Sequence, residues 1–306
     1  GATPAILLGA GAVGLLRQCL DAPALLRDAP HVKRRIVVWD GGEPSSVPHD
    51  ALVLSSGALR AALDAVPLPQ ACAPRAFPRP MTIRAQGPYP DVPLRRFGQR
   101  EAAAVPVALH HGEDESACWI EAVEGGWLFL IPSGPGAGWL LCVGSEPDAL
   151  LTASRHVAPR ITPTAAPRAR FETAPRMLET LAGPDWLACG TEAIAFDPLC
   201  GDGTAQAARE AILASAVLTA IAGTDGSEEA TRPYREHYHS MLLAAMRRHL
   251  RQSAQFYATG HPSPWWRDQL ASTQQAFEAT TAALAGFPEP RYRLDGLTLI
   301  PIETPV

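Results

Sequence analysis

Four apolar runs between residues 104 and 145, "AVPVALHH", "SACWIEAV", "GWLFLIPS" and "GWLLCVGS", are separated only by short segments rich in Gly, Glu and Asp. Each run has strand length, and the connections are too short for helical crossovers, so the pattern predicts antiparallel sheet. On either side of this block an apolar segment enters a glycine-marked turn and then a helix. Strand–turn–helix units around an antiparallel centre predict an α/β (α+β) chain rather than a bundle or a sandwich.

The first flanking unit is "AILLGAGAVG", followed by "LLRQCLDAPALLRDAP", in which Pro23 ends or kinks the helix. The strand "RRIVVWDGG" comes next and ends at Asp40. GxGxxG between strand and helix is the dinucleotide fingerprint: its glycines turn tightly, admit a pyrophosphate to the backbone and let helix and strand pack. Gly9, Gly11 and Gly14 fill those positions, and Asp40 stands where an acid meets the ribose, later than the usual spacing. "ALVLSS" and "GALRAALDAV" predict a further strand and helix. Residues 67–93 are proline-rich and read mostly as loop, with "PMTIRAQG" as a possible strand.

The second flanking unit is "WLACGTEAIAFDPLCGDGTAQAAREAILASA", residues 186–216. A strand runs to Asp197-Pro198, Gly201 and Gly203 bracket Asp202, and an alanine-rich helix follows. Bare backbone at a helix N-terminus suits an anion or a flat ligand; Asp202 in the first turn equally suits a cap. A helix over "EPDALLTASRHV" and a proline- and arginine-rich connector near residues 158–170 precede this unit. Two long helices, "YREHYHSMLLAAMRRHLRQSAQFYA" and "PWWRDQLASTQQAFEATTAAL", follow it, and "YRLDGLTLIPI" reads as an extended tail.

With 306 residues, 47% of them hydrophobic, the chain can build one large domain or two. No apolar run approaches the ~20 residues of a membrane span, and the opening "GATPAILLGAG" has no basic leader segment. The net charge of -5 gives no electrostatic case for nucleic acid. Six scattered cysteines without CxxC spacing indicate neither zinc nor a disulfide framework, so no metal is expected and a reduced, cytoplasmic setting is the default. Lys33 is the only lysine among 26 basic residues, just ahead of a strand, which makes lysine-based catalysis improbable.

"GAGAVG" near the start, "DPLCGDG" late and "GWLFLIP" between them resemble FAD-dependent monooxygenases of the para-hydroxybenzoate hydroxylase fold. The nearest branch is that of the flavin halogenases, geranylgeranyl reductases and quinone-cofactor-maturation flavoproteins. The resemblance implies a Rossmann-like βαβ domain for FAD/NAD(P) made of 1–66 and 171–225, an interleaved antiparallel substrate domain over 78–157, and C-terminal helices over 228–306. It implies FAD, with Gly9, Gly11 and Gly14 at the pyrophosphate and Asp40 at the adenosine ribose. Asp197, Pro198, Gly201, Asp202 and Gly203 would then lie at the flavin ring. Thr191, in "GTEA", replaces the family's acid at the ribityl hydroxyls, and Ser56 replaces the arginine or glutamine ahead of "ALRAAL".

The implied activity is hydroxylation of a small aromatic or peptide-borne substrate through a flavin hydroperoxide. Halogenation is excluded, because Phe129 stands where that branch has a second tryptophan after Trp127 and no lysine is nearby. The alternatives are a degenerate, non-catalytic relative acting as a binding or maturation partner, and an NAD(P)-dependent reductase using only the first motif. No catalytic residue is assigned: Glu192 and Asp202 are the acids placed near a flavin. His110 and His111 read as sheet-edge residues. His237 and His239 do not share a helix face. Trp265-Trp266-Arg267 would either dock a helix or wall an aromatic pocket.

Overall fold

The computed structural model describes residues 4–67, 80–199 and 203–302. From the N-terminus the elements are β1 (Ile6–Gly9), α1 (Ala10–Cys19), β2 (His31–Val38), β3 (Ser45–Leu54), α2 (Ser56–Asp64), β4 (Thr82–Arg84) and β5 (Leu94–Arg96). The antiparallel block follows as β6 (Glu101–Leu109), β7 (Ala117–Val123), β8 (Gly126–Gly134) and β9 (Ala137–Gly144). Then come α3 (Pro147–Ala153), β10 (Ile161–Pro163), β11 (Ala169–Glu172), β12 (Arg176–Leu178), β13 (Trp186–Ala188) and β14 (Ile194–Ala195). The last third holds α4 (Gly203–Ile221), α5 (Glu228–Thr259), α6 (Pro264–Leu284), β15 (Tyr292–Asp295) and β16 (Thr298–Pro301). Among the described residues one large mixed sheet, smaller sheets and six α-helices make this the α/β architecture expected from the sequence.

The chain divides into two compact units. The first comprises residues 1–68, 99–173 and 254–271, and the second 69–98, 174–253 and 272–306. Residues 1–66 thus fall with the antiparallel block in the first unit, whereas 174–225 fall in the second.

In the first unit the strand order is β1-β3-β2-β7-β8-β9-β6-β10, with β11 also on β6. Every residue of β7 is buried, because it is flanked on both sides and covered on both faces. It runs parallel to β2 and antiparallel to β8. Leu128, Leu130, Leu140 and Val143 are at most 2% exposed, and each fully buried aliphatic side chain contributes about 1.5–3 kcal/mol. The connector near residues 158–170 is more ordered than its composition suggests. Its β10 and β11 pair with β6, whose length of nine residues leaves an edge that both short segments satisfy. Glu121 of β7 is a buried carboxylate that closes the end of α3. It accepts from Ser154 Oγ and from the amides of Arg155, His156 and Val157 at 2.8–3.1 Å. Lys33 sits exposed at a bulge in β2, its amide donating to Ser116 O at 2.8 Å.

The β1–α1–β2 segment is not wound as a side-by-side βαβ pair. β3 lies between β1 and β2 and is antiparallel to both, so β1 is the sheet's edge. β3 is ten residues long and starts at Ser45, earlier than "ALVLSS" suggests, so one strand pairs with β1 at its end and β2 along its length.

In the second unit β13 pairs parallel with β4, and β12 pairs with β5 and β14. Met177, Leu178, Leu181, Leu187 and Val217 form a core with Leu242, Met246 and Leu250 of α5. The expected extended tail is instead a hairpin: Tyr292–Asp295 pairs with Thr298–Pro301, and Gly296 at φ +57° supplies the left-handed turn. No helix among the described residues is long and apolar enough to cross a membrane.

Candidate functional site

The site grows from β13. Trp186, Leu187 and Ala188 are buried, and Tyr238 Oη of α5 donates to Ala188 O at 2.7 Å, fixing the strand's end. The chain then turns at Gly190, whose φ of +83° lies in the left-handed region that glycine occupies without strain. Gly190 O accepts from the amides of Ala193 and Ile194 at 2.9 and 3.0 Å. The turn leaves Thr191 and Glu192 exposed. Glu192 Oε2 accepts from Gly87 N at 2.8 Å and ties the segment after β4 to this turn.

The Gly190 amide donates to Glu210 Oε2 at 2.7 Å. Glu210 lies on α4 and is 1% exposed. Burial raises its carboxyl to about 7, opposed by the bonds from Gly190 and Gln206. Around it stand three groups that stay protonated at neutral pH. Burial pushes Cys189 up to about 11 and Tyr89 up to about 12, and lifts Tyr238 well above the ordinary phenol range. The Tyr89 hydroxyl is buried with no partner among the described residues.

Past β14, Phe196 packs on the His249 ring at 4.7 Å. The Asp197 amide donates to His249 Nε2 at 2.8 Å, and Ser253 Oγ approaches the same nitrogen at 3.3 Å. Nε2 therefore accepts and the ring proton sits on Nδ1. Asp197 is completely buried, and its Oδ1 accepts from Leu199 N at 2.9 Å. Its side chain closes the loop internally and its amide is taken by His249; sequence spacing reads position but not which way a short acid folds. Pro198 is half-buried. Gly201 and Asp202 lie outside the described residues. Gly203 opens α4 exposed, with nothing within 4 Å of a built Cβ.

The positions of the first motif are placed differently. Gly9 is the N-cap of α1, and Gly11 and Gly14 are exposed helical residues with open space at the Cβ position. Gly9 pairs with Ala51, which pairs with Val32 at the start of β2. Asp40 follows the far end of β2, so at ~3.3 Å per residue it stands roughly 20 Å or more from Gly9. The structure does not bring these four residues together. Ser56 is the first residue of α2, and the cap of that helix is Ser55, which accepts from Ala58 N.

The remaining candidates are explained by packing. Both ring nitrogens of His110 are engaged, by Pro159 O at 2.8 Å and Thr162 Oγ1 at 3.0 Å. Burial holds His237 and His239 below the usual histidine range, so both are neutral at physiological pH. Among the described residues no group of His, Cys, Asp and Glu could hold a metal ion. Trp266 is 1% exposed and donates from Nε1 to Val123 O at 2.8 Å, and Arg267 turns back to Pro262 O at 2.7 Å. The pair docks a helix.

Glu210 and Tyr89 are the residues that motif reading missed. A signal for Glu210 exists: it shares the 3.6-residue face of Leu213, Ala214 and Val217, so the sequence puts a carboxyl on the buried stripe of α4. Tyr89 has no such signal.

Comparison of the sequence with protein-family models and with curated proteins gives no match. The fold matches solved structures. A peptidyl tryptophan dihydroxylase essential for tryptophylquinone cofactor biogenesis superposes with a TM-score of 0.67 over 87% of this chain and 70% of its own, at 16% identity. The chain has the fold of the flavin-dependent monooxygenases. A flavin-dependent halogenase, CmlS, gives a TM-score of 0.57 at 15% identity, over 91% of this chain and 64% of its own. HpxO from Klebsiella pneumoniae, a variant complexed with FAD, gives 0.51 at 12% identity, over 93% of this chain and 90% of its own.

Proposed function

We propose that the chain is an FAD-dependent oxidoreductase, a monooxygenase acting on an aromatic or peptide-borne substrate, with its flavin ring at the turn from Gly190 to Gly203. One observation carries the reading. In a fold shared with flavoenzymes, the carboxyl end of a parallel strand, β13, leads through a glycine turn to the N-terminus of the 19-residue helix α4. Ligands of α/β sheets bind outside such strand ends. The residues present suit a flavin ring and its ribityl chain. Thr191 offers an exposed hydroxyl, the backbone of Asp197 and Pro198 is held rigid by His249, and Gly203 leaves room in front of α4. Bound there, the flavin would supply the redox chemistry.

The chain's own groups position and insulate. Glu210 fixes the Gly190 amide, and Glu192 anchors the segment after β4. Amides at the start of α4 would favour negative charge on a reduced ring. Tyr89, Cys189 and Tyr238 keep their protons, so they add no charge beneath the turn.

The purified protein tests the reading. Flavin absorption bands that survive dialysis, or quenching of added FAD fluorescence, are expected. A colourless protein that leaves FAD fluorescence untouched refutes it and favours the non-catalytic alternative, to which the separation of Gly9 from Asp40 already lends support.

A further inference from the structure

Resting on that flavin reading, we infer that the chain grips its cofactor through the ring and ribityl phosphate half only, and gives the ADP half no cradle. FMN then binds as well as FAD.

A dinucleotide needs two things from an α/β sheet: a crevice beyond the carboxyl ends of neighbouring parallel strands, and amides or cations at the pyrophosphate. Among the described residues only two strand pairs run parallel, β2 with β7 and β4 with β13. The end of β2 is filled by protein. Trp39 follows the strand directly and packs edge-on to Trp266 at 5.2 Å and to Phe256 at 6.2 Å. The Asp40 amide is taken by Gly260 O at 3.1 Å. What remains is the end of β4 and β13, which is the flavin turn itself.

The glycine fingerprint does not replace the missing crevice. Among the described residues its strand is the sheet's edge, paired only with an antiparallel neighbour. The acid meant for the ribose lies at the other end of β2. Two flavins share one half and differ by one AMP moiety, so their relative affinity reads this directly.

FAD and FMN are titrated separately into the full chain, following protein tryptophan and flavin fluorescence, and ADP is added to the FAD complex as competitor. Equal affinities within about threefold are expected, with no displacement by ADP. Even two charge-assisted hydrogen bonds to the pyrophosphate would make FAD tighter by roughly 100-fold. A preference for FAD of that order, or displacement by ADP, overturns the inference while leaving the flavin reading intact. Binding of neither flavin overturns the flavin reading, and this inference with it.

Discussion

Replacing Glu210 by glutamine separates the charge of this residue from its shape. A carboxyl raised from 4.5 to about 7 by burial costs roughly 3 kcal/mol to ionise in place, at about 1.4 kcal/mol per tenfold change in proton affinity. Because the folded-state value lies above the unfolded one, the folded state holds the proton more tightly. The associated stability is complete below about pH 4.5 and is lost as pH rises through about 7. Glutamine keeps the acceptor for the Gly190 amide without the titration. The substituted protein should match the parent near pH 4.5 and exceed it at pH 8 by up to about 3 kcal/mol, an upper limit since water penetration lowers such costs. Neither Cys189, Tyr89 nor Tyr238 changes charge in that window. His237 and His239, held low by burial, titrate with the opposite sign and cancel in the difference. Urea unfolding from pH 4.5 to 8 measures this, with Trp186, 6% exposed in the same core, among its fluorescent reporters. Parallel pH profiles for the two proteins would refute an ionisable, buried Glu210.

Two further substitutions probe the first unit. A Cβ at Gly260 would overlap the Trp266 ring, which Val123 O holds in place, so Gly260→Ala should lower stability by about 1–3 kcal/mol, read as a shift in the urea midpoint. An unchanged midpoint means that Trp266 moves freely. Glu121→Ala strands the amides of Arg155 and His156 and the Ser154 hydroxyl proton, while Val157 N keeps Ser154 Oγ, and a loss of roughly 3 kcal/mol or more is expected in thermal melting. A loss below about 1 kcal/mol would show that water replaces the carboxylate.

Local patterns were the legible part of the fold. The apolar runs "SACWIEAV" and "GWLFLIPS" announce antiparallel sheet because each has strand length and the connection between them is too short for a helical crossover. The helix beginning at Pro264 is readable from its proline start. Pairing partners are less readable, since β3 could lie on either side of β2 and only the packed sheet decides. The same limit governs the site. "FDPLCGDG" marks a strand-to-helix turn, and in the structure β14 ends at Ala195 and α4 begins at Gly203. Yet the first motif depends on which strands are neighbours, a non-local fact that six residues cannot encode. Direction escapes too: Asp197 and Glu210 are both acids near one loop, and sequence favours the one whose side chain closes on Leu199 over the one that reaches Gly190.

The bulge at Lys33 has a practical side. Elsewhere the chain carries its positive charge on arginine, and among the described residues five guanidinium groups lie over aromatic rings. An amine-reactive dye therefore finds one side chain, exposed on β2 beside Ser116. A lysine-specific protease has a single bond to cut, near the start of β2 at its bulge. The rate of that one cleavage is a clock for the opening of the first unit's sheet, with no mutation needed to install it.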